Sequence, residues 1–173
     1  MLQRADAASR EAAGGGRAKL SGVNVAVPAG EAELDEVELS ALRGLVRVHA
    51  ALVKELDAEL EARHGLPLTS YEVLRSLRKS PHGKLRMAEL AEHALLSRSG
   101  MTRLIDRLER EGMVGRSTCD KDGRGCYAVL TDQGRTVVDE ARASYLSVVR
   151  ASFLRHYGVD ELRELAGLLQ RAL

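Results

Sequence analysis

The chain has 173 residues, which is long enough for one domain that buries its own hydrophobic core. Its 26 Lys and Arg residues face 25 Asp and Glu residues, and the resulting net charge of +1 excludes a protein that coats nucleic acid through overall charge. Any contact with DNA therefore has to come from local clustering of cations.

Cysteine usage and hydropathy predict the compartment. The chain has two cysteines, no signal-peptide pattern and no apolar run of about eighteen residues. We therefore expect a soluble cytoplasmic protein without a membrane partner.

Residues 1–33 are rich in Ala, Gly and Arg and have no sustained apolar period, which predicts a mobile N-terminal arm. The alternative is that part of VNVAVPAG, residues 23–30, packs as an added strand or collar. Residues 34–173 are expected to form a single domain.

Long helices are predicted at both flanks of this domain. The apolar spacing over residues 35–64 predicts a helix whose apolar face is longer than one compact domain needs, so part of it is available to another subunit. His49 lies in that face, either as a core or interface histidine or as a ligand-binding one. Thr131 opens another long helix to about Arg155, and Asp160 caps a last one. We expect residues 35–64 and 131–173 to be dimerisation helices.

Between the flanks, Thr69 and Glu72 have the spacing of a capping box at the start of a helix that Pro81 and Gly83 end. A short extended piece over residues 84–87 and a helix over residues 88–93 follow. The connection after this helix is short enough for a helix-turn-helix.

The next helix has one apolar stripe, formed by Met101, Leu104, Ile105 and Leu108. Ser97 is its predicted N-cap, and Gly112 stands where a left-handed residue would end it. Two short extended segments then flank the turn-forming sequence DKDGRG, which predicts a β-hairpin. The fold class is therefore mainly α with a small β-wing.

This order of elements provides two probes for DNA. A helix can enter the major groove, and a cation at a hairpin tip can reach the adjacent minor groove. The expected DNA-binding residues are Ser97, Arg98, Ser99, Thr102, Arg103 and Arg107 on the helix, with Lys121 and Arg124 at the hairpin tip. One alternative is that Arg103 and Arg107 form a solvated face paired with acids. Another is a helical protein-interaction module whose winged lobe no longer binds DNA.

The sequence LAEHALLSRSGMTRLIDRLEREGMVGR, followed by DKDGRG and AVLTDQG, resembles the winged helix-turn-helix core of the MarR family of bacterial transcription regulators. The detailed resemblance covers residues 85–134, with the winged lobe at 85–130. It implies a homodimer on a pseudo-palindromic operator, usually a repressor released by a small ligand or by cysteine oxidation. By position it implies groove or phosphate contacts from Ser97, Ser99, Thr102, Arg103 and Arg107, and a wing arginine at Arg124. The long N-terminal arm departs from this pattern, and no effector-site motif is recognisable.

The resemblance also suggests where an effector would bind. His49, Tyr71 and Arg75 are candidate wall residues, and an arginine with a histidine would suit an anionic aromatic or other carboxylate ligand. The alternative for each residue is ordinary packing or surface.

Cys119 and Cys126 flank the hairpin loop, so a redox-responsive regulator is a further alternative to plain strand cysteines. The five histidines are scattered without metal-ligand spacing. Neither a phosphate-binding loop nor a nucleophile elbow is present, so we predict no cofactor, no metal and no enzymatic activity.

Overall fold

The computed structural model describes residues 33–94, 96–118 and 126–173, together with the backbone of two short strands near the N-terminus. These strands, β1 (Lys19–Leu20) and β2 (Val23–Asn24), pair antiparallel within the predicted arm. The rest of that arm lies outside the described residues, so its predicted mobility stays a prediction. The other elements are α1 (Glu36–His64), α2 (Leu68–Lys79), β3 (Lys84–Arg86), α3 (Met87–His93), α4 (Arg98–Arg110), β4 (Val114–Thr118), β5 (Cys126–Leu130), α5 (Asp132–Ser152) and α6 (Val159–Gln170).

The chain divides into two compact units. The larger one comprises residues 43–158, and its core is formed by apolar residues of α1 to α5 and of the strands β4 and β5. The predicted stripe of α4 points into this core: Met101, Ile105 and Leu108 are buried, and Leu104 is half-buried. Helix α4 is therefore fixed along one side and exposed along the other.

The smaller unit combines the residues up to Leu42 with Val159–Leu173. Asp35 and Glu38 begin α1 with a reciprocal pair of hydrogen bonds, each backbone N–H donating 2.8 Å to the other carboxylate. The predicted cap of the last helix is wrong, because α6 begins at Val159 and Asp160 lies inside its first turn. The Asp160 carboxylate accepts a hydrogen bond from Arg163 at 2.5 Å.

The predicted hairpin is confirmed as β4 and β5, and β3 adds to it in a three-stranded antiparallel sheet of order β3-β5-β4. The long helix predicted from Thr131 is α5, and Thr131 caps it, since the N–H of Gly134 donates to its hydroxyl at 3.0 Å. A side chain at Gly134 would overlap the carbonyl oxygen of Met113. The wing is therefore packed tightly against the first turn of α5.

The capping box predicted at Thr69 and Glu72 is wrong. Helix α2 begins earlier, at Leu68, and Pro67 precedes it without any side-chain hydrogen bond. The Leu68 N–H donates instead to the Asp57 carboxylate of α1 at 2.8 Å. A side chain of another helix, and not the predicted capping box, thus accepts a backbone N–H at the start of α2.

Helix α1 follows the predicted range closely, but only Leu56 and Leu60 among its residues are buried. Within the larger unit, Leu45, Val46 and Val53 remain 54%, 56% and 39% exposed. His49 is exposed on the same helix, so it is not a core residue of this chain. Over the described residues, none of the helices is long and apolar enough to cross a membrane.

Candidate nucleic-acid interface

The exposed side of α4 carries the residues predicted at its start, namely Ser97, Arg98, Ser99, Thr102 and Arg103. Ser97 caps the helix as predicted, accepting a hydrogen bond from the Gly100 N–H at 3.1 Å. The Ser97 and Ser99 hydroxyls lie 3.2 Å apart. The Thr102 hydroxyl donates to the carbonyl oxygen of Arg98 at 2.9 Å. Local hydrogen bonds thus order the small polar side chains, and only short side chains lie between the arginines on this side of the helix.

Arg107 is not part of this exposed group. Its guanidinium donates to the hydroxyl of Ser70 on α2, and its Nε lies 4.0 Å from the Glu111 carboxylate. Ser70 is a buried polar residue of the core, only 1% exposed. The structure therefore directs Arg107 toward α2, and its predicted contact with DNA stays a prediction.

The acidic residues of α4 have a partner on the wing. The Arg116 side chain of β4 forms ion pairs with both Asp106 and Glu109. Its hydrogen bond to Asp106 raises the pKa of Arg116 above the ordinary value. In the alternative interpretation, Arg103 and Arg107 are paired with acids. Arg107 does lie 4.0 Å from Glu111, whereas Asp106 and Glu109 pair with Arg116 of β4.

A groove of about 670 Å³ lies beside α4, and Thr102 belongs to its wall. Three arginines line it: Arg86 from β3, Arg98 from α4 and Arg116 from β4. The Arg86 Nε donates to the Tyr127 hydroxyl at 3.1 Å, and its guanidinium carbon lies 5.5 Å from the centre of that ring. The groove therefore joins the exposed side of α4 to a cationic strip of the sheet.

Sequence reasoning missed Arg86, Lys84 and Arg116 as members of this surface. Lys84 also lies over Tyr127, with its Nζ 5.4 Å from the ring centre. This cluster exists because β3 pairs with β5 in the register that sets Arg86 opposite Tyr127. Because β3 and β5 are about forty residues apart in the sequence, no local sequence pattern could have predicted this cluster.

The predicted hairpin tip lies outside the described residues, and with it Lys121, Arg124 and Cys119. Their roles stay predictions. Cys126 begins β5 as an exposed cysteine and lines the groove beside α4.

A second cleft, of about 350 Å³, lies between α2 and α5. Tyr71 stacks on Tyr145 with ring centres 4.8 Å apart, and Arg75 lies 5.2 Å from the centre of the Tyr145 ring. Burial raises the pKa of the Tyr71 phenol. Tyr71 and Arg75 thus line one cavity, as expected of two of the candidate wall residues, whereas His49 is not part of its lining.

The sequence and the fold are similar to those of known proteins from one family. Residues 64–125 match the model of the MarR family. The HTH-type transcriptional repressor Rv2887 of Mycobacterium tuberculosis is 39% identical over 130 residues, which cover 73% of this chain and 88% of the repressor. The chain belongs to the MarR family.

Solved structures agree with this assignment. Sco3205 of Streptomyces coelicolor, a MarR family transcriptional regulator crystallised in complex with DNA, is 30% identical and has a TM-score of 0.77. The match covers 81% of this chain and 91% of that one. AbsC, a MarR family regulator of the same organism, is also 30% identical with a TM-score of 0.77, over 82% of this chain and 95% of its own.

These findings confirm the resemblance to the MarR family and the mainly α fold with a small wing. They also confirm that this MarR family protein is a transcription regulator and not an enzyme.

Proposed function

We propose that the protein is a homodimeric transcriptional repressor that binds double-stranded DNA at an inverted-repeat operator. The observation that carries this proposal is the exposed side of α4, where Arg98, Thr102 and Arg103 project beside an arginine-lined groove. Arginines and small hydroxyl side chains on an exposed helix suit both phosphate contacts and base edges in the major groove. The repressor name of Rv2887 and the DNA complex of Sco3205 support the same function.

The apolar surface of α1 supports the dimer. Leu45 and Val46 are more than half exposed, and Val53, two turns further along the same side of the helix, is 39% exposed in the single chain. A contiguous row of this kind is typical of a protein interface, because water contact with aliphatic side chains costs free energy. On α6, Leu168 and Leu169 are exposed as well, at 48% and 40%. A second copy of the chain is the partner that the family suggests for these surfaces.

A two-fold dimer determines the form of the operator. Two copies of α4 that enter successive major grooves on one side of the duplex are separated by about one turn, roughly 34 Å. The operator is therefore an inverted repeat, and each half-site contacts one α4.

The cleft between α2 and α5 supports control by a small molecule. Tyr145 offers aromatic surface and is stacked on the buried ring of Tyr71, while Arg75, Lys79 and Arg142 add positive charge to the lining. Arg78 is already paired with Asp139 at 3.2 Å, so that carboxylate does not cancel the other cations. An anionic aromatic effector matches this combination, and its binding would relieve repression.

A selection on random duplex DNA tests the main proposal. The purified full chain is expected to enrich an inverted repeat, and its affinity for that repeat should fall steeply as salt rises, because several phosphate contacts release counterions. The control is a scrambled duplex of equal length. Failure to enrich any sequence, with weak and salt-insensitive binding, would contradict the proposal and favour a protein-interaction module.

The effector is tested on the same operator. A panel of aromatic acids should contain compounds that weaken DNA binding by the wild type but not by a Tyr71→Ala variant. Matched neutral amides of these acids serve as controls. If no aromatic acid changes the affinity, control by such a ligand at this cleft is contradicted.

A further inference from the structure

Helix α4 has carboxylates close to the side that is proposed to face DNA. Asp106 lies one helical turn after Thr102, and both residues line the groove beside α4. The Asp106 side chain is 46% exposed and that of Glu109 is 38% exposed. Unpaired carboxylates at these positions would repel the phosphates of a bound duplex.

We propose that Arg116 is a positioning residue for DNA binding, which acts by neutralising Asp106 and Glu109 beside the exposed side of α4. This inference rests on the proposed function, since it concerns how the same surface binds DNA. In this role Arg116 acts through the two carboxylates, and its own contact with DNA is not needed.

The geometry of Arg116 suits this role. One terminal nitrogen, Nη2, contacts the Asp106 carboxylate, and the other, Nη1, lies 2.8 Å from Oε2 of Glu109. A guanidinium has two arms with fixed directions, so one arginine bridges two carboxylates three residues apart, whereas a lysine offers a single point charge.

The backbone around Arg116 limits its movement. Arg116 pairs with Ala128 in the middle of the β4–β5 ladder, and Ala128 is fully buried. The Arg116 side chain is only one-third exposed. Its position relative to α4 is therefore set by the sheet.

The charge balance of the groove depends on this residue. With Arg116 present, the groove has three guanidinium groups and one carboxylate among its lining residues. Without it, Asp106 and the neighbouring Glu109 would face Arg86 and Arg98 without a partner on β4. The charge of these lining residues would then fall from +2 to +1, which weakens the attraction of the groove for phosphate.

The test compares three variants of the full chain on the selected operator, by fluorescence anisotropy at several salt concentrations. Arg116→Gln should bind about ten-fold to a hundred-fold more weakly than the wild type. Asp106→Asn/Glu109→Gln should bind no more weakly than the wild type. Combining all three substitutions should restore affinity to within about three-fold of the wild type, with a similar salt slope, because no carboxylate is left to neutralise.

Arg163→Gln is the matched control. It also removes one cation from an ion pair with a carboxylate, in this case Asp160 of α6, and changes the net charge equally. Its affinity for the operator should stay within about two-fold of the wild type. An equal loss in Arg163→Gln would contradict a local role for Arg116.

Other outcomes overturn the proposal. If the triple variant stays as weak as Arg116→Gln although its melting temperature and dimeric state match the wild type, Arg116 itself contacts DNA and the inference is wrong. A weaker Asp106→Asn/Glu109→Gln variant would overturn it as well, even if Arg116→Gln failed to fold. A wild-type chain that binds no duplex would overturn the proposed function too, which separates the two failures.

Discussion

Within the larger unit, helix α4 and the part of α1 from Arg43 onward both expose a long surface, but the two surfaces have opposite chemistry. Leu45 and Val46 of α1 are aliphatic and more than half exposed. The exposed residues of α4, such as Thr102 and Arg103, are polar or cationic. An aliphatic surface is stabilised by another apolar surface, whereas a cationic one is stabilised by phosphate. The contrast suggests that α1 contacts a second copy of the chain and α4 contacts DNA.

The two helices also differ in how the single chain holds them. Helix α4 buries Met101, Ile105 and Leu108 at 0–1% exposure, and Ser70 and Arg116 bind its polar side chains from two directions. Helix α1 buries only residues in its second half. Helix α4, which is proposed to contact DNA, is thus fixed within one chain, while the first half of α1 is left without buried residues.

The largest expected effect comes from charging the apolar surface of α1. Leu45→Glu/Val46→Glu should convert the dimer into a monomer, because two carboxylates would have to be buried without partners. Affinity for the full operator should fall by at least about a hundred-fold, since each monomer reaches one half-site only. Sedimentation velocity and anisotropy measure the two effects.

Arg47→Glu, at an exposed position of the same helix, is the control for added charge. It should leave the dimer intact. A double-glutamate variant that remains dimeric with wild-type affinity would contradict the inference that α1 contacts a second copy of the chain.

The second effect concerns the DNA-facing side of α4. Arg103→Ala should cost about 1–3 kcal/mol of binding free energy and alter the preferred base at one position of each half-site. Arg124→Ala, at the predicted wing tip, should instead weaken binding to all duplexes by similar factors. Repeating the selection with each variant measures both outcomes. Unchanged affinity for Arg124→Ala would show that the wing assignment is wrong.

A smaller effect is expected at the contact between α4 and α2. Ser70→Ala removes the buried hydroxyl that accepts a hydrogen bond from the half-buried Arg107 guanidinium. The free energy of unfolding should fall by roughly 1–2 kcal/mol, and operator affinity by a few-fold. Chemical denaturation measures the first quantity. Ser76→Ala on the same helix is the control, and an equal loss there would mean that the bond to Arg107 is unimportant.

The smallest effect is a pH dependence at Tyr71. Its pKa is raised by burial, so the folded state favours the neutral phenol more than the unfolded state does. This contribution to stability is complete below the unfolded pKa of about 10 and is lost as the pH rises through the folded pKa. The difference in stability between the wild type and Tyr71→Phe should therefore shift against the wild type between pH 9 and 11. A constant difference would contradict burial of this phenol.

Local patterns predicted much of the fold. The stripe of α4, its cap at Ser97 and the start of α5 at Thr131 depend on residues close in sequence, and all three are confirmed. Gly112 has φ of 74°, as its place after α4 predicted. These features are local because helix caps and stripes are set within one or two turns.

Contacts between distant segments could not be predicted in this way. At the start of α2, the Asp57 carboxylate of α1 accepts the Leu68 N–H, whereas the sequence predicted a local capping box. Similarly, β3 joins the hairpin by pairing with β5. The same holds for Arg116, whose partners lie on another element, and for Arg107, which bonds to Ser70 thirty-seven residues away. Side-chain charge alone indicates a candidate DNA contact, but only the packing reveals which arginines hold the protein together.

The most direct test of the central claim is to change the spacing of the operator. The proposed dimer fixes the separation of its two α4 helices, so inserting about five base pairs between the half-sites turns one of them to the opposite side of the duplex. The account predicts that affinity falls to that of a single half-site, and that an insertion of about ten base pairs restores part of it by realigning the grooves. Equal affinity for the original and the five-base-pair operators would contradict a rigid dimer that reads both half-sites at once.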